Sequence, residues 1–176
     1  KGSYTRPKQA IKNAKKILKE TKCAAIKIEN NTHNLNIVKA FTKSKINVMG
    51  HIGFTPQFKK KFKVEGKNKI EQNNLLKNAK KIEGAGAFSI VLECIEKKTA
   101  QKITKCLKIP TIGIGSSNYC DGQVLVFDDL INIDSSQKTP KFVKKYLNFE
   151  RLAGEAILKF SRQVKQRSFP NKKYSY

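Results

Sequence analysis

Four side chains that could do chemistry stand at or just beyond the ends of apolar runs in this sequence. Lys27 and Glu29 close the run 23–29, His51 follows the run 46–49, and Glu93 ends the run 88–93. An amine, two carboxylates and an imidazole can bind an acidic substrate and transfer protons. These four residues form the candidate site, provided that the fold brings them together.

Each of these residues also has a structural interpretation, which the residues alone leave open. Lys27 and Glu29 could form an ion pair across the end of a strand. Glu93 could cap the helix that follows it, and His51 could be a hydrogen-bonded core residue. A functional interpretation is favoured because several polar groups follow different apolar runs, and residues at the ends of strands carry function disproportionately.

The elements that would position these residues can be predicted from apolar spacing. Apolar residues recur at helical spacing in five segments, between residues 7 and 21, 35 and 41, 75 and 82, 100 and 107, and 152 and 164. Short apolar runs predict strands at 23–29, 46–49, 88–93, 111–114 and 123–127. Strands that alternate with amphipathic helices indicate an α/β fold with a parallel sheet. The last two strands are joined by a short connection, so we predict a turn of helix between residues 116 and 122.

This order of elements predicts where the polar side chains meet. Lys27 and Glu29 are two residues apart and share one face of a strand. We expect His51 in the loop after the second strand and Glu93 at the end of the third. Three neighbouring parallel strands would then direct all four groups to one edge of the sheet, as in the active sites of barrel enzymes. Gly113 and Gly115 could allow a ligand to approach the backbone, although packing explains glycine there equally well.

The formal net charge of +24 raises the possibility of a nucleic-acid partner. Only four of the 37 basic residues are arginine, and the lysines are spread over every predicted helix. Arginine is the residue that reads bases and phosphates with paired hydrogen bonds. We therefore interpret the lysines as a solvated coat and expect no nucleic-acid partner.

Composition indicates one globular domain spanning residues 1–176. Hydrophobic residues make up 39% of the chain, and no apolar run is long enough to cross a membrane. The four cysteines lie far apart without a C-x-x-C pair, which predicts neither a zinc site nor a disulfide framework. Reduced thiols are typical of a cytoplasmic protein, and this is the location we expect.

Several longer motifs resemble one known family. They are Lys27-Ile28-Glu29, the block MGHIGFTPQ at 49–57, FKVEGK at 62–67, VLEC at 91–94, IGIG at 112–115, DGQ at 121–123 and PKFV at 140–143. In this order they resemble the ketopantoate hydroxymethyltransferase family over nearly the whole chain. The G-H-x-G-x-T-P-Q block at 50–57 is the most specific of them.

The resemblance implies a fold and an activity. The implied fold is a (β/α)₈ TIM barrel of the phosphoenolpyruvate/pyruvate type. The implied reaction transfers a hydroxymethyl group from 5,10-methylenetetrahydrofolate to 3-methyl-2-oxobutanoate and gives 2-dehydropantoate, in the biosynthesis of pantothenate, a coenzyme A precursor. It proceeds through an enolate stabilised by Mg²⁺ or a similar divalent ion. The resemblance also implies a homo-oligomer, often a decamer.

The resemblance also assigns roles to the four candidate residues. Glu93 is expected to be the general base, Lys27 to bind the keto acid, Glu29 to bind magnesium, and His51 to line the substrate pocket. No segment of this chain matches two further magnesium-binding aspartates of the family. A complete barrel takes ~250 residues, so we expect this chain to be the C-terminal part of a barrel lacking about three β/α units. On its own it is expected to be inactive.

Two alternatives differ in class or in substrate. A lysine-rich nucleic-acid-binding module would bind with steep salt dependence and would be insensitive to changes at Lys27, Glu29 and Glu93. Another lyase of the same barrel superfamily would act on a different 2-oxo acid.

Overall fold

The structure is a computed structural model that describes residues 2–30, 34–133 and 139–176. The chain divides into two compact units, Lys1–Val124 and Leu125–Tyr176. The first unit contains helices α1 (Pro7–Thr21), α2 (Leu35–Lys43), α3 (Lys69–Gly84) and α4 (Lys97–Cys106). Its strands are β1 (Ile26–Lys27), β2 (Val48–Gly53), β3 (Ser89–Glu93), β4 (Thr111–Ile114) and β5 (Gly122–Gln123).

The strands form one parallel sheet in the order β1-β2-β3-β4-β5. This arrangement confirms the predicted α/β class with parallel strands. Lys27 pairs with Met49, His51 pairs with Val91, and Gly53 pairs with Glu93. All C-terminal ends of the strands therefore lie along the same edge.

The two faces of the sheet have different roles, because successive side chains of a strand point to opposite sides. The hydrophobic core includes strand residues of one face only: Ile28 just after β1, Val48, Ile52, Ile90 and Leu92. Helix residues such as Ala14, Phe41, Ala79 and Ile103 complete that core. Lys27, His51 and Glu93 lie on the other face.

Local sequence signals account for the helix starts. Pro7 begins α1, where its missing N–H costs no hydrogen bond. The Asn68 side chain caps α3 by accepting from the N–H of Glu71. Glu96 caps α4 by accepting from the N–H of Thr99. The cap of α4 is thus Glu96, so the helix-capping interpretation of Glu93 is wrong.

Two predicted strand boundaries and one predicted turn of helix are also wrong. Strand β1 covers only two residues of the predicted 23–29. Strand β2 continues through Gly53, because Gly50 and Gly53 both pair with residues of β3. His51 therefore lies inside the strand and not in a loop. No helix forms between residues 116 and 122, where the chain makes turns.

The predicted strand at 123–127 is wrong beyond Gln123. Val124, Val126 and Phe127 are exposed in the described structure, so their apolar character does not reflect burial in a sheet. Phe127 instead begins a short helix, α5 (Phe127–Ile131).

The second unit consists of α5, α6 (Phe149–Lys165) and connecting segments. The N–H of Tyr146 donates to the carbonyl of Leu130 at 2.8 Å. The Asn132 side chain donates to that of Asn148, the cap of α6, at 2.9 Å. Helix α6 has no buried residue. In the described part of the chain no helix is both long and apolar enough to cross a membrane.

Candidate active site

Lys27, His51 and Glu93 form a continuous line across three neighbouring strands. Nζ of Lys27 lies 3.4 Å from Nδ1 of His51. On the other side of the ring, Nε2 of His51 lies 3.0 Å from Oε2 of Glu93. His51 is 2% exposed and Glu93 is partly exposed, so the line runs from a buried imidazole to a carboxylate that a solute can reach.

The Lys27 contact determines which imidazole nitrogen carries the proton. A lysine ammonium has only N–H donors, so Nδ1 of His51 must accept from it. The neutral ring then carries its proton on Nε2, the nitrogen that faces Glu93. Along this line the lysine is a donor and the carboxylate is an acceptor. The imidazole between them accepts at Nδ1 and carries a donor N–H at Nε2.

The contact between His51 and Glu93 is close but not a well-aligned hydrogen bond. Although the carboxylate lies within ion-pair distance, Nε2 has no hydrogen-bond partner among the described residues. An unsatisfied buried N–H costs about 1–3 kcal/mol. Catalytic hydrogen bonds are often poorly aligned without substrate and tighten when it binds.

Glu29 lies at the same edge, just beyond β1. Its carboxylate is 7% exposed, and Oε2 accepts a hydrogen bond of 2.9 Å from the backbone N–H of Gln57. Within the part of the chain that the structure describes, Oε1 has no hydrogen-bond partner. Lys27 and Glu29 are not among the ion pairs of those residues, so their interpretation as a structural ion pair is not supported.

A buried pair of asparagines connects Glu29 to His51, and the sequence analysis did not identify it. The Asn30 side chain accepts from the backbone N–H of His51 at 3.0 Å and donates to the Asn34 side chain at 3.3 Å. Asn34 donates to the backbone carbonyl of Glu29 at 2.7 Å. Asn30 directly follows the Lys-Ile-Glu motif, which is the one signal in the sequence that could have indicated it.

The loop that follows β2 is hydrogen-bonded to the end of β3. The N–H of Phe54 donates to the carbonyl of Glu93 at 2.9 Å. Nζ of Lys59 donates to the carbonyl of Gly53 at 2.8 Å and also pairs with Glu65. These contacts hold the loop beside Glu93, the candidate catalytic carboxylate.

Tyr4 is a further residue of the site that sequence reasoning missed. Its hydroxyl donates to Oε1 of Gln57 at 2.9 Å, across 53 positions of the chain. Burial raises the pKa of the Tyr4 phenol, and the charge of Glu29 adds to this effect. Hydrogen bonds with the Glu29 backbone and the Gln57 side chain act in the opposite direction. Tyr4 remains a neutral phenol at physiological pH.

Cys94 follows Glu93 directly but is not suited to be a nucleophile. It is 1% exposed. Burial, followed by the charges of Glu93 and Glu65, raises the pKa of its thiol to about 12. Because the thiolate is the reactive form, this thiol is inert at neutral pH.

The glycine of β4, Gly113, has close neighbours on its open side. A side chain at Gly113 would meet the Gln123 side chain and Sγ of Cys120. Packing therefore explains Gly113, in agreement with the structural alternative.

The residues present fit one part of a magnesium site. Among residues 2–30, 34–133 and 139–176, no three histidines, cysteines, aspartates or glutamates are grouped so that they could hold a metal ion. Glu29 nevertheless offers one carboxylate oxygen, Oε1, that has no hydrogen-bond partner among those residues. Mg²⁺ is commonly bound through one or two protein carboxylates, with substrate and water completing the shell. Glu29 fits the role of a single protein ligand of this kind.

Comparison with known proteins identifies the family. The family model for ketopantoate hydroxymethyltransferase matches residues 1–172. The chain belongs to the ketopantoate hydroxymethyltransferase family. This confirms the resemblance inferred from the motifs.

Relatives in this family are similar along almost the whole chain. The 3-methyl-2-oxobutanoate hydroxymethyltransferase of Pelagibacter ubique is 49% identical over 174 residues, which is 99% of this chain and 67% of the relative. The enzyme of the same name from Helicobacter pylori is 46% identical over 178 residues, covering 99% of this chain and 66% of its own length. The chain thus spans about two thirds of the length of these ketopantoate hydroxymethyltransferase relatives.

Proposed function

We propose that this chain contributes the catalytic base and the keto-acid contacts of a ketopantoate hydroxymethyltransferase. The reaction transfers a hydroxymethyl group from 5,10-methylenetetrahydrofolate to 3-methyl-2-oxobutanoate and gives 2-dehydropantoate for pantothenate biosynthesis. Family membership supports the reaction class. The observation that carries the proposal is the line from Lys27 through His51 to Glu93 at one edge of the sheet.

Glu93 removes the proton from C3 of the keto acid in the proposed mechanism. The electron pair of that C–H bond moves towards the carbonyl oxygen and gives an enolate. Water breaks the two C–N bonds of the methylene bridge, which gives formaldehyde and releases tetrahydrofolate. The enolate carbon then attacks the formaldehyde carbon, and the oxygen of its C=O bond takes up the proton held by Glu93 and becomes the new hydroxyl group. Of the four residues, Glu93 combines partial exposure with a position next to the imidazole N–H, as a base in contact with substrate requires.

Lys27 provides positive charge where negative charge develops. Its exposed ammonium can contact the substrate carboxylate or the enolate oxygen while it donates to His51. His51 keeps Glu93 oriented, because its protonated nitrogen faces the carboxylate. Glu29 would hold the divalent cation, which when bound polarises the ketone of a 2-oxo acid.

We also propose that the sheet belongs to a (β/α)₈ barrel. Two features support this: the strands follow one another in sequence order, and their core residues all lie on one face. In a barrel that face packs on the outer helices, and the other face, here that of Lys27, His51 and Glu93, points inward at the carboxyl ends of the strands.

The assignment of the base is tested by the change Glu93→Gln in the intact protein. The measurement is NMR of hydrogen exchange at C3 of 3-methyl-2-oxobutanoate in D₂O, which requires no folate. We expect exchange to slow by about 100- to 10,000-fold, the usual contribution of a general base. The matched control is Glu20→Gln, on the exposed face of α1, and it should exchange at the wild-type rate. Exchange by Glu93→Gln at the wild-type rate would show that another group is the base.

A further inference from the structure

Two hydrogen bonds link Tyr4, Gln57 and Glu29, three residues that lie far apart in the sequence. The backbone N–H of Gln57, the last residue of the GHIGFTPQ block, donates to Oε2 of Glu29 at 2.9 Å. The hydroxyl of Tyr4, in the segment before α1, donates to Oε1 of the Gln57 side chain at 2.9 Å. Tyr4 therefore restrains Gln57 by its side chain, and Gln57 restrains Glu29 by its backbone.

This arrangement gives the two carboxylate oxygens of Glu29 different environments. Oε2 is engaged by Gln57, whereas Oε1 has no hydrogen-bond partner among the described residues. Glu29 is 7% exposed as a residue, but its Oε1 is not one of the fully buried atoms that lack a partner, so this oxygen is open at the edge of the sheet. A ligating oxygen has to be accessible in this way.

We propose that Tyr4 and Gln57 are positioning residues that hold Glu29 with Oε1 available to a divalent cation. The inference rests on the metal-binding role given to Glu29 in the proposed function. Hydrogen bonds to a ligating carboxylate typically change metal affinity by 10- to 100-fold when they are removed. Tyr4 acts one step further out, through Gln57, so its effect should lie at the lower end of that range.

The Tyr4 hydroxyl can be separated from the Tyr4 ring. The ring packs against the hydrophobic core and is partly buried. Tyr4→Phe keeps this packing and removes the hydroxyl, with its hydrogen bond to Gln57 and its interaction with the Glu29 backbone. Tyr119→Phe is the matched control, since Tyr119 is 53% exposed and its side-chain contact is a ring contact with Lys97.

The experiment measures the Kd of Mn²⁺ for the intact protein by electron paramagnetic resonance, with and without 3-methyl-2-oxobutanoate. We expect Tyr4→Phe to raise the Kd by about 10-fold and Tyr119→Phe to leave it unchanged. Gln57→Ala should raise it similarly. The double variant should show less than the product of the two effects, because both changes remove the same hydrogen bond. If Tyr4→Phe lowers the melting temperature, its Kd alone cannot separate loss of the hydrogen bond from loss of stability. Gln57→Ala then tests the hydrogen bond, because it leaves Tyr4 unchanged.

The possible failures are distinguishable. If wild type binds Mn²⁺ and both Tyr4→Phe and Gln57→Ala bind it with the wild-type Kd, the positioning role is wrong while the metal role of Glu29 stands. If wild type binds no Mn²⁺, or Glu29→Gln binds it as tightly as wild type, the metal role of Glu29 is wrong and the inference fails with it.

Discussion

His51 is the residue on which the charge pattern of the site depends. It accepts from Lys27 on one side and presents its N–H to Glu93 on the other. Its backbone N–H is held by the buried Asn30 side chain, so the ring is fixed by contacts from β1, β3 and the segment after β1. A residue first identified by its place after an apolar run thus connects the amine and the carboxylate.

Cys94 gives a prediction at the scale of a single residue. Its thiol pKa is raised to about 12, so the folded state binds this proton more tightly than the unfolded state, whose value is 9.0. The contribution of Cys94 to stability is complete below about pH 9 and is lost as the pH rises towards 12. We expect iodoacetamide to alkylate the exposed Cys106, while the buried Cys94 stays unmodified at each pH from 7 to 10. Peptide mass spectrometry would measure both rates. If Cys94 in the folded protein were alkylated at the rate of Cys106, its thiol pKa would not be raised as described.

At the scale of elements, the C-terminal ends of β2 and β3 pack closely at Gly53. Gly53 has φ +93°, a backbone conformation that favours glycine. A Cβ atom there would overlap the backbone carbonyl oxygen of Glu93 and crowd Ile95. The absence of a side chain at Gly53 is therefore what allows Phe54 to donate to Glu93 and the following loop to lie beside the site.

The change Gly53→Ala should destabilise the protein by about 3 kcal/mol or more, because backbone strain adds to overpacking. Urea unfolding followed by circular dichroism would measure this. The matched control is Gly84→Ala at the end of α3, where no atom lies within 4 Å of the added carbon and φ is not positive. That variant should be neutral or more stable by about 0.4–1 kcal/mol. Equal stabilities of the two variants would show that the close approach of the strands has no energetic importance.

The elements differed in how well they could be predicted from sequence. Helix α1 was predicted to its last residue, because Pro7 and a regular apolar spacing define both ends. The segment from Val124 to Phe127 was predicted wrongly, because an apolar run can be exposed and hydropathy alone does not reveal it. The hydrogen bond between Tyr4 and Gln57 could not be predicted, since it joins segments 53 positions apart that only the tertiary structure brings together.

At the scale of the whole molecule, the net charge of +24 has a measurable consequence. We expect only weak adsorption to nucleic acid, driven by counterion release and weakened at least 1,000-fold between 50 and 200 mM salt. Fluorescence anisotropy with a single-stranded 20-mer would measure it, and Glu93→Gln should behave like wild type. Binding at micromolar Kd or tighter that persists at 200 mM salt would instead favour the nucleic-acid-binding alternative.

The alternation of faces in the sheet has a consequence for how this protein can vary. In β2 and β3 the even-numbered residues, such as Val48, Ile90 and Leu92, form the core. The odd-numbered residues, such as Met49 and Val91, lie next to His51 and Glu93. If the proposed function is right, substitutions that change the preference for one acid over another are separated, position by position, from those that disturb folding. In a growth-based mutational scan, the effect of substitutions along each strand should therefore alternate with a period of two. Substitutions of core-facing residues should reduce growth through loss of stability, and those of residues on the other face through loss of catalysis.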